Sequence, residues 1–112
     1  MSLLPPSREF RDELDDAGQE WVRVRIWLER GQVVRFIVQY ETTAPGLADD
    51  PIPVVRYDTA HGGPHRDRLD RRGREIGKDF LFNTLELWQA LDYAERDVRQ
   101  NWPRYRQEFF ED

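Results

Sequence analysis

The sequence predicts a single α+β domain, in which an antiparallel sheet of three to five strands packs against a long C-terminal helix. Hydrophobic residues alternate with polar and aromatic residues through Glu20–Glu41, and a shorter alternating segment follows at Ile52–Asp58. After residue 83 they recur every three or four positions, and strands followed by one helix are typical of a sheet with one covered face. The expected domain spans 1–112, with an N-terminal extension at 1–19, the sheet and its loops at 20–82 and a helical part at 83–112.

The first two strands are predicted to form a hairpin that turns near Gly31. If all hydrophobic side chains share one face, paired residues must have numbers with an even sum, which disfavours a two-residue turn at Arg30–Gly31. A three-residue loop at Glu29–Gly31 places Arg25 opposite Arg35, and a five-residue loop places Trp27 opposite Arg35. Either loop leaves an aromatic and basic outer face.

The rest of the sheet is less sharply patterned. Ile52–Asp58 is predicted as a third strand, and His65–Leu69 pairs with Arg74–Ile76 around a turn at Arg71–Gly73 in an additional hairpin. The structure of residues 1–19 stays open, because Phe10 fits a helical stripe as well as a strand that precedes a turn. These segments bring the expected number of strands to between three and five.

The C-terminal part predicts one amphipathic helix. Asn83 and Thr84 supply a candidate N-cap. Pro103 predicts a kink or break near Asn101 and a short second helix, because proline lacks the backbone donor and clashes with the preceding turn. The stripe that faces the core is predicted to comprise Trp88, Leu91, Ala94, Val98, Trp102, Tyr105 and Phe109.

Composition removes several classes of function. The absence of cysteine excludes disulfides, thiolate metal sites and thiol nucleophiles. No stretch approaches the ~20 apolar residues of a membrane helix, so we expect no membrane association and a cytoplasmic location. A net charge of −5 argues against a general nucleic-acid coat protein. The segment from Arg56 to Lys78, however, contains seven basic and four acidic residues. This local excess of positive charge fits a phosphate or an acidic partner.

Both histidines of the chain, His61 and His65, lie in one short segment. In a metal-independent phosphodiester cleavage, one imidazole takes the proton of a ribose 2′-hydroxyl and an arginine stabilises the charged phosphorus centre. Alternatively, carboxylates in the same segment complete a divalent metal site, or His–Asp and Arg–Asp hydrogen bonds merely staple the loop. The catalytic candidates are Asp58, His61, His65 and Arg66. The metal-ligand candidates are Asp58, His61, His65 and Asp67, and apart from this metal no cofactor is expected.

A second hypothesis gives the chain no catalytic role. In this case the aromatic and basic sheet face makes the protein a binding or accessory module, for instance one that associates with a second copy of the chain. The candidate binding residues for either hypothesis are Arg25, Trp27, Arg35, Arg56, Tyr57 and Arg68.

Several segments together resemble a family of small uncharacterised bacterial proteins. They are Arg56–Gly62, His65 with Asp67, the strand Phe36–Glu41, Asn101 with Trp102, and Tyr105 with Arg106. The resemblance spans most of the chain and implies no particular activity. More distantly, the Arg-Tyr-Asp segment followed by two histidines is similar to TumE-type toxins of toxin–antitoxin pairs. That similarity implies a toxin-like protein that acts on RNA and is neutralised by an antitoxin-like partner.

Overall fold

The computed structural model describes residues 4–44, 46, 48–59, 63–80 and 86–111. Its elements are β1 (Arg8–Glu13), β2 (Glu20–Glu29), β3 (Gln32–Thr42), β4 (Ile52–Asp58), β5 (His65–Leu69), β6 (Glu75–Phe80) and α1 (Leu87–Glu111). Each strand pairs antiparallel with its neighbour in sequence, in the order β1-β2-β3-β4-β5-β6. The α+β prediction is therefore confirmed, and the count of three to five strands is wrong, since the described residues form six.

The additional strands lie at both edges of the predicted sheet. β1 falls in the segment left open at 1–19, and it precedes a turn in which Asp15 Oδ1 accepts hydrogen bonds from the backbone of Gln19 and Glu20, both at 3.1 Å. Its residues are mostly charged and exposed, as befits an edge strand, and this is why no hydrophobic alternation marks it. At the other edge, β5 and β6 form the predicted hairpin around Asp70–Arg74.

The β2–β3 hairpin turns through the two residues that the parity argument disfavoured. Arg30 and Gly31 both have positive φ, 52° and 78°, as a tight hairpin turn requires. A bulge at Val34 then adds one residue to β3, so that the even sum is restored and Trp27 lies opposite Arg35. The pairing of Arg25 with Arg35 is wrong, because Arg25 lies opposite Ile37.

The helix covers one face of the sheet, which we call the inner face; the opposite one is the outer face. The inner face carries the even-numbered hydrophobic residues of β2 and β3 and the odd-numbered Val55 and Tyr57 of β4; Val54, where the β3–β4 register shifts, is buried as well. The core that it forms with α1 comprises Val22, Val24, Ile26, Phe36, Val38, Tyr40, Val54, Val55, Tyr57, Ala90, Leu91, Ala94, Val98, Tyr105 and Phe109. Most of the predicted helical stripe lies in it, but Trp88 is exposed.

Two buried carboxylates join the helix to the sheet. Asp97 accepts hydrogen bonds from the hydroxyls of Tyr57 on β4 and Tyr105 on α1, the latter at 2.5 Å. Glu20 at the start of β2 accepts one from Tyr40 at 2.5 Å and forms an ion pair with Arg106 of the helix at 3.4 Å. These contacts fix α1 at two points along its length.

The helix is continuous, and the predicted break near Asn101 is wrong. Pro103 lies exposed in its interior, while Tyr105 and Phe109 beyond it are buried against the sheet. Packing on both sides of the proline therefore outweighs the lost hydrogen bond. At the other end Gln89 Oε1 accepts from the Glu86 backbone nitrogen at 2.9 Å, which caps the first turn. The predicted N-cap at Asn83 and Thr84 lies outside the described residues.

In the described part of the chain, no helix combines the length and the apolar character that are needed to cross a membrane.

Replacement of Pro103 by alanine tests whether packing holds a strained helix together. The Pro103→Ala variant regains a backbone donor and loses the ring clash, so its free energy of unfolding should rise by about 1–3 kcal/mol. Urea unfolding followed by circular dichroism measures the change, with Gln107→Ala as an exposed control on the same helix. An unchanged or lower stability would contradict the account.

The buried tyrosines predict a loss of stability in alkali. Burial, reinforced by the neighbouring carboxylates, raises the pKa of Tyr40, Tyr57 and Tyr105 above the ordinary tyrosine value. Above about pH 10 the unfolded chain releases these protons and the folded chain keeps them, so stability falls by up to about 1.4 kcal/mol per pH unit for each tyrosine. Below that pH the stability is fully present.

Urea unfolding at increasing pH measures this slope. Tyr57→Phe should lower stability at neutral pH, because Asp97 loses a donor, and should make the alkaline slope shallower. Tyr93→Phe, at a ring that is 39% exposed, provides the control. Equal slopes in wild type and Tyr57→Phe would refute the assignment.

Candidate functional site

The outer face of the sheet carries a row of polar residues that crosses all six strands. Cross-strand pairing places its members side by side in the order Arg11, Arg23, Gln39, Arg56, Asp67 and Lys78. The adjacent row runs Glu9, Arg25, Ile37, Asp58 and His65. Because α1 occupies the inner face, no described helix or strand packs on these two rows.

A groove of about 270 Å³ lies where the two rows meet in the middle of the sheet. It is lined by Arg23, Arg25, Ile37, Gln39, Arg56 and Asp58. Three guanidinium groups and one carboxylate thus give the groove a positive balance, although the whole chain has a net charge of −5. Such a concentration of arginine is suited to an anionic ligand.

A hydrogen-bonded chain of side chains holds Arg56 in place. Arg56 Nε donates to Gln39 Oε1 at 2.7 Å, and Gln39 Nε2 donates to Glu41 Oε2 at 2.6 Å. Glu41 is only 6% exposed and also pairs with Arg11 at 3.4 Å. A guanidinium has five N–H donors, so this arrangement orients Arg56 with one of them.

Arg23 and Arg25 share a carboxylate on the edge strand. Glu9 Oε2 accepts a hydrogen bond from Arg25 and lies 3.4 Å from Arg23. The hydrogen bond from Arg25 holds the pKa of Glu9 below its usual range. All three side chains are more than one-third exposed, and ion pairs at such exposure contribute little to stability. A ligand phosphate can therefore compete with Glu9 for the two arginines.

Stacked pairs of tryptophan and arginine lie at both ends of β2. Arg35 lies over the Trp27 ring with 4.6 Å between the guanidinium carbon and the ring centroid, and Arg11 lies over Trp21 at 4.1 Å. The Trp27 indole also donates to the Leu4 carbonyl at 2.8 Å, which fixes its ring. Each end of β2 thus carries a guanidinium group that lies over an indole ring.

His65 is held between two acceptors. It is 3% exposed, with Nε2 3.3 Å from Asp67 Oδ2 and Nδ1 3.1 Å from the Gly63 carbonyl oxygen. Both ring nitrogens therefore contact groups of the protein. A ring held in this way is poorly suited to take a proton from a ligand.

The structure brings only some of the predicted catalytic residues together. Asp58 and His65 are direct neighbours on β4 and β5, on the outer face. Arg66 lies on the inner face, where it binds Asp79 at 2.7 Å and the Tyr105 hydroxyl at 2.8 Å. Strand alternation therefore separates Arg66 from His65.

Of the four candidate metal ligands, the structure describes Asp58, His65 and Asp67. His61 lies outside the described residues. Within the described ranges no cluster of three or more histidine, aspartate or glutamate side chains could hold a metal ion.

The predicted binding residues also divide between the two faces. Arg25, Trp27, Arg35 and Arg56 lie on the outer face, whereas Tyr57 is fully buried beneath α1 and Arg68 pairs with Glu108 of the helix at 3.8 Å.

Two polar residues of the groove, Arg23 and Gln39, were absent from the predicted set, as was the apolar Ile37. Arg23 belongs to the same alternation as Arg25 and could have been found from it. Gln39 carries no signal beyond its place in a strand.

Comparison with known protein families gives a match over nearly the whole chain. Residues 6–112 match the family model described as Domain of unknown function (DUF7718). No curated protein and no solved structure is significantly similar to the chain. The expected membership of an uncharacterised family is thus confirmed, and the distant similarity to TumE-type toxins stays a prediction. Since the match covers nearly all of the sequence, this protein belongs to the DUF7718 family.

Proposed function

We propose that this protein is a non-enzymatic binding module that holds single-stranded nucleic acid on the outer face of its sheet. The observation that carries the proposal is the groove with Arg23, Arg25 and Arg56, on a face that the helix leaves open. The whole chain has a net charge of −5, so the groove is a local basic surface on an acidic molecule.

The spacing of the arginines suits a phosphodiester backbone. Arg23 and Arg25 are two residues apart on one strand, which separates them by roughly 7 Å along the sheet. Arg56 faces them across β3, next to Gln39. Successive phosphates of an extended strand can therefore each meet a guanidinium, whose planar donor fork matches phosphate oxygens.

The stacked pairs supply a surface for bases. Single-stranded nucleic acids are typically bound by basic grooves whose aromatic rings and arginine planes stack on unpaired bases. The Trp27–Arg35 and Trp21–Arg11 pairs lie at the two ends of the strand that carries Arg23 and Arg25. Reading of duplex DNA instead needs an element that enters a groove, and the arginines here lie on a broad sheet surface.

The described histidine argues against cleavage of the bound strand. A general base must come within hydrogen-bond reach of the proton it removes. His65 is almost fully buried and contacts Asp67 and Gly63, and Arg66 lies on the other face of the sheet. These contacts favour the loop-staple interpretation of His65.

Binding should be measurable by fluorescence anisotropy with a labelled single-stranded RNA of mixed sequence. Three phosphate contacts predict a salt slope of about −2, hence a roughly twentyfold weaker affinity at about 200 mM than at about 50 mM salt. Arg23→Gln/Arg56→Gln should weaken binding at low salt and reduce the slope to about −0.7. The matched control is Arg96→Gln/Arg104→Gln, which removes the same charge from exposed positions on α1. Equal loss of binding in both double variants, or none in either, would refute the proposal.

The same RNA, analysed on a denaturing gel after incubation, tests for cleavage. We expect intact RNA with the wild type, and binding that His61→Ala leaves in place. Cleavage that disappears in a folded His61→Ala or His65→Ala variant would overturn the non-enzymatic assignment in favour of a toxin-like ribonuclease.

A further inference from the structure

We propose that Asp58 accepts a hydrogen bond from a ribose 2′-hydroxyl, so that the groove selects RNA over DNA. This inference rests on the proposed function and names the ligand class within it. Asp58 is the last residue of β4 and supplies the carboxylate among the residues that line the groove. Its neighbours across the sheet are Ile37 and His65.

The position of Asp58 is fixed by the sheet. β4 lies between β3 and β5, and just beyond Asp58 the Phe36 backbone nitrogen of β3 donates a hydrogen bond to the side-chain Oγ1 of Thr59 at 3.2 Å. Arg56 and Asp58 point to the same face from positions two residues apart on β4. Side chains from two such positions can contact a phosphate and the adjoining ribose of one strand.

The chemistry of this carboxylate points to a hydroxyl donor. An ionised carboxylate only accepts hydrogen bonds, and it repels the phosphates that the three arginines attract. A ligand that gains from Asp58 must therefore bring an uncharged donor next to its phosphates. The ribose 2′-hydroxyl is such a donor, and it is the group that distinguishes RNA from DNA. With two oxygens, the carboxylate can accept this bond in addition to contacts within the protein.

Two ligands that differ only in the 2′-hydroxyl provide the test. One is a labelled single-stranded RNA, and the other is the same sequence built from deoxynucleotides with deoxyuridine in place of uridine. Wild-type protein should bind the RNA about tenfold more tightly, as expected for a hydrogen bond to a charged acceptor. RNA methylated at every 2′-oxygen should bind like the deoxy strand, because methylation removes the donor; this arm uses unmodified protein and is independent of folding.

Variants separate hydrogen bonding from charge. Asp58→Ala should tighten binding of the deoxy strand, because a repulsive charge is lost, and should bring the RNA-to-deoxy affinity ratio close to one. Glu9→Gln removes a charge beside the same arginines, so it should tighten both ligands and leave the ratio unchanged. Circular dichroism checks that each variant is folded.

The outcomes distinguish this inference from the function on which it rests. Equal binding of RNA and deoxy strand by the wild type, still dependent on Arg23 and Arg56, would overturn the role of Asp58 and leave nucleic-acid binding intact. A preference for RNA that persists in folded Asp58→Ala would likewise assign the selection to another residue. Absence of binding to either strand would overturn both proposals.

Discussion

The buried carboxylate of Asp97 is the contact on which the arrangement of helix and sheet depends. It accepts hydrogen bonds from Tyr57 on β4 and from Tyr105 and Asn101 on α1, and Arg66 of β5 lies 3.9 Å away. A carboxylate taken out of water is costly unless donors surround it, and here three donors and a nearby guanidinium do so. Loss of the carboxylate would leave two buried tyrosine hydroxyls without their acceptor.

The contact between Asp97 and Tyr57 determines which face of the sheet stays open. Side chains alternate along β4, so the strand that presents Tyr57 to Asp97 must present Arg56 and Asp58 to the opposite side. The Arg56-Tyr57-Asp58 segment therefore combines two roles, with the tyrosine anchoring the helix and its neighbours lining the groove. Arg66 is divided from His65 by the same rule, since it joins the helix network while the histidine faces outward.

Local sequence patterns were sufficient to predict the central strands of the sheet and the C-terminal helix. Alternation in β2 and β3 identified the covered and open faces. β1 was not predicted because a charged edge strand lacks hydrophobic alternation. The turn between β2 and β3 was predicted wrongly because the bulge at Val34, which has no local sequence signal, changes which residues pair across the hairpin. Contacts between residues distant in sequence could not be predicted from local patterns. Such contacts explain why α1 continues through Pro103. They also bring Asp97 next to Tyr57, which lies 40 positions away in the sequence. Grouping His65 with Arg66 by adjacency failed because neighbours on a strand face opposite ways.

In the proposed function, the charge distribution of the chain makes the groove a selective site. Three arginines supply few phosphate contacts, and the acidic remainder of the chain repels a polyanion that extends beyond them. Phosphate contacts fix the position of a strand but carry no information about its identity. When they are few, a single contact with a sugar or a base accounts for a larger share of the binding free energy. A small basic groove on an acidic domain can therefore discriminate between ligands that a strongly basic surface would bind alike.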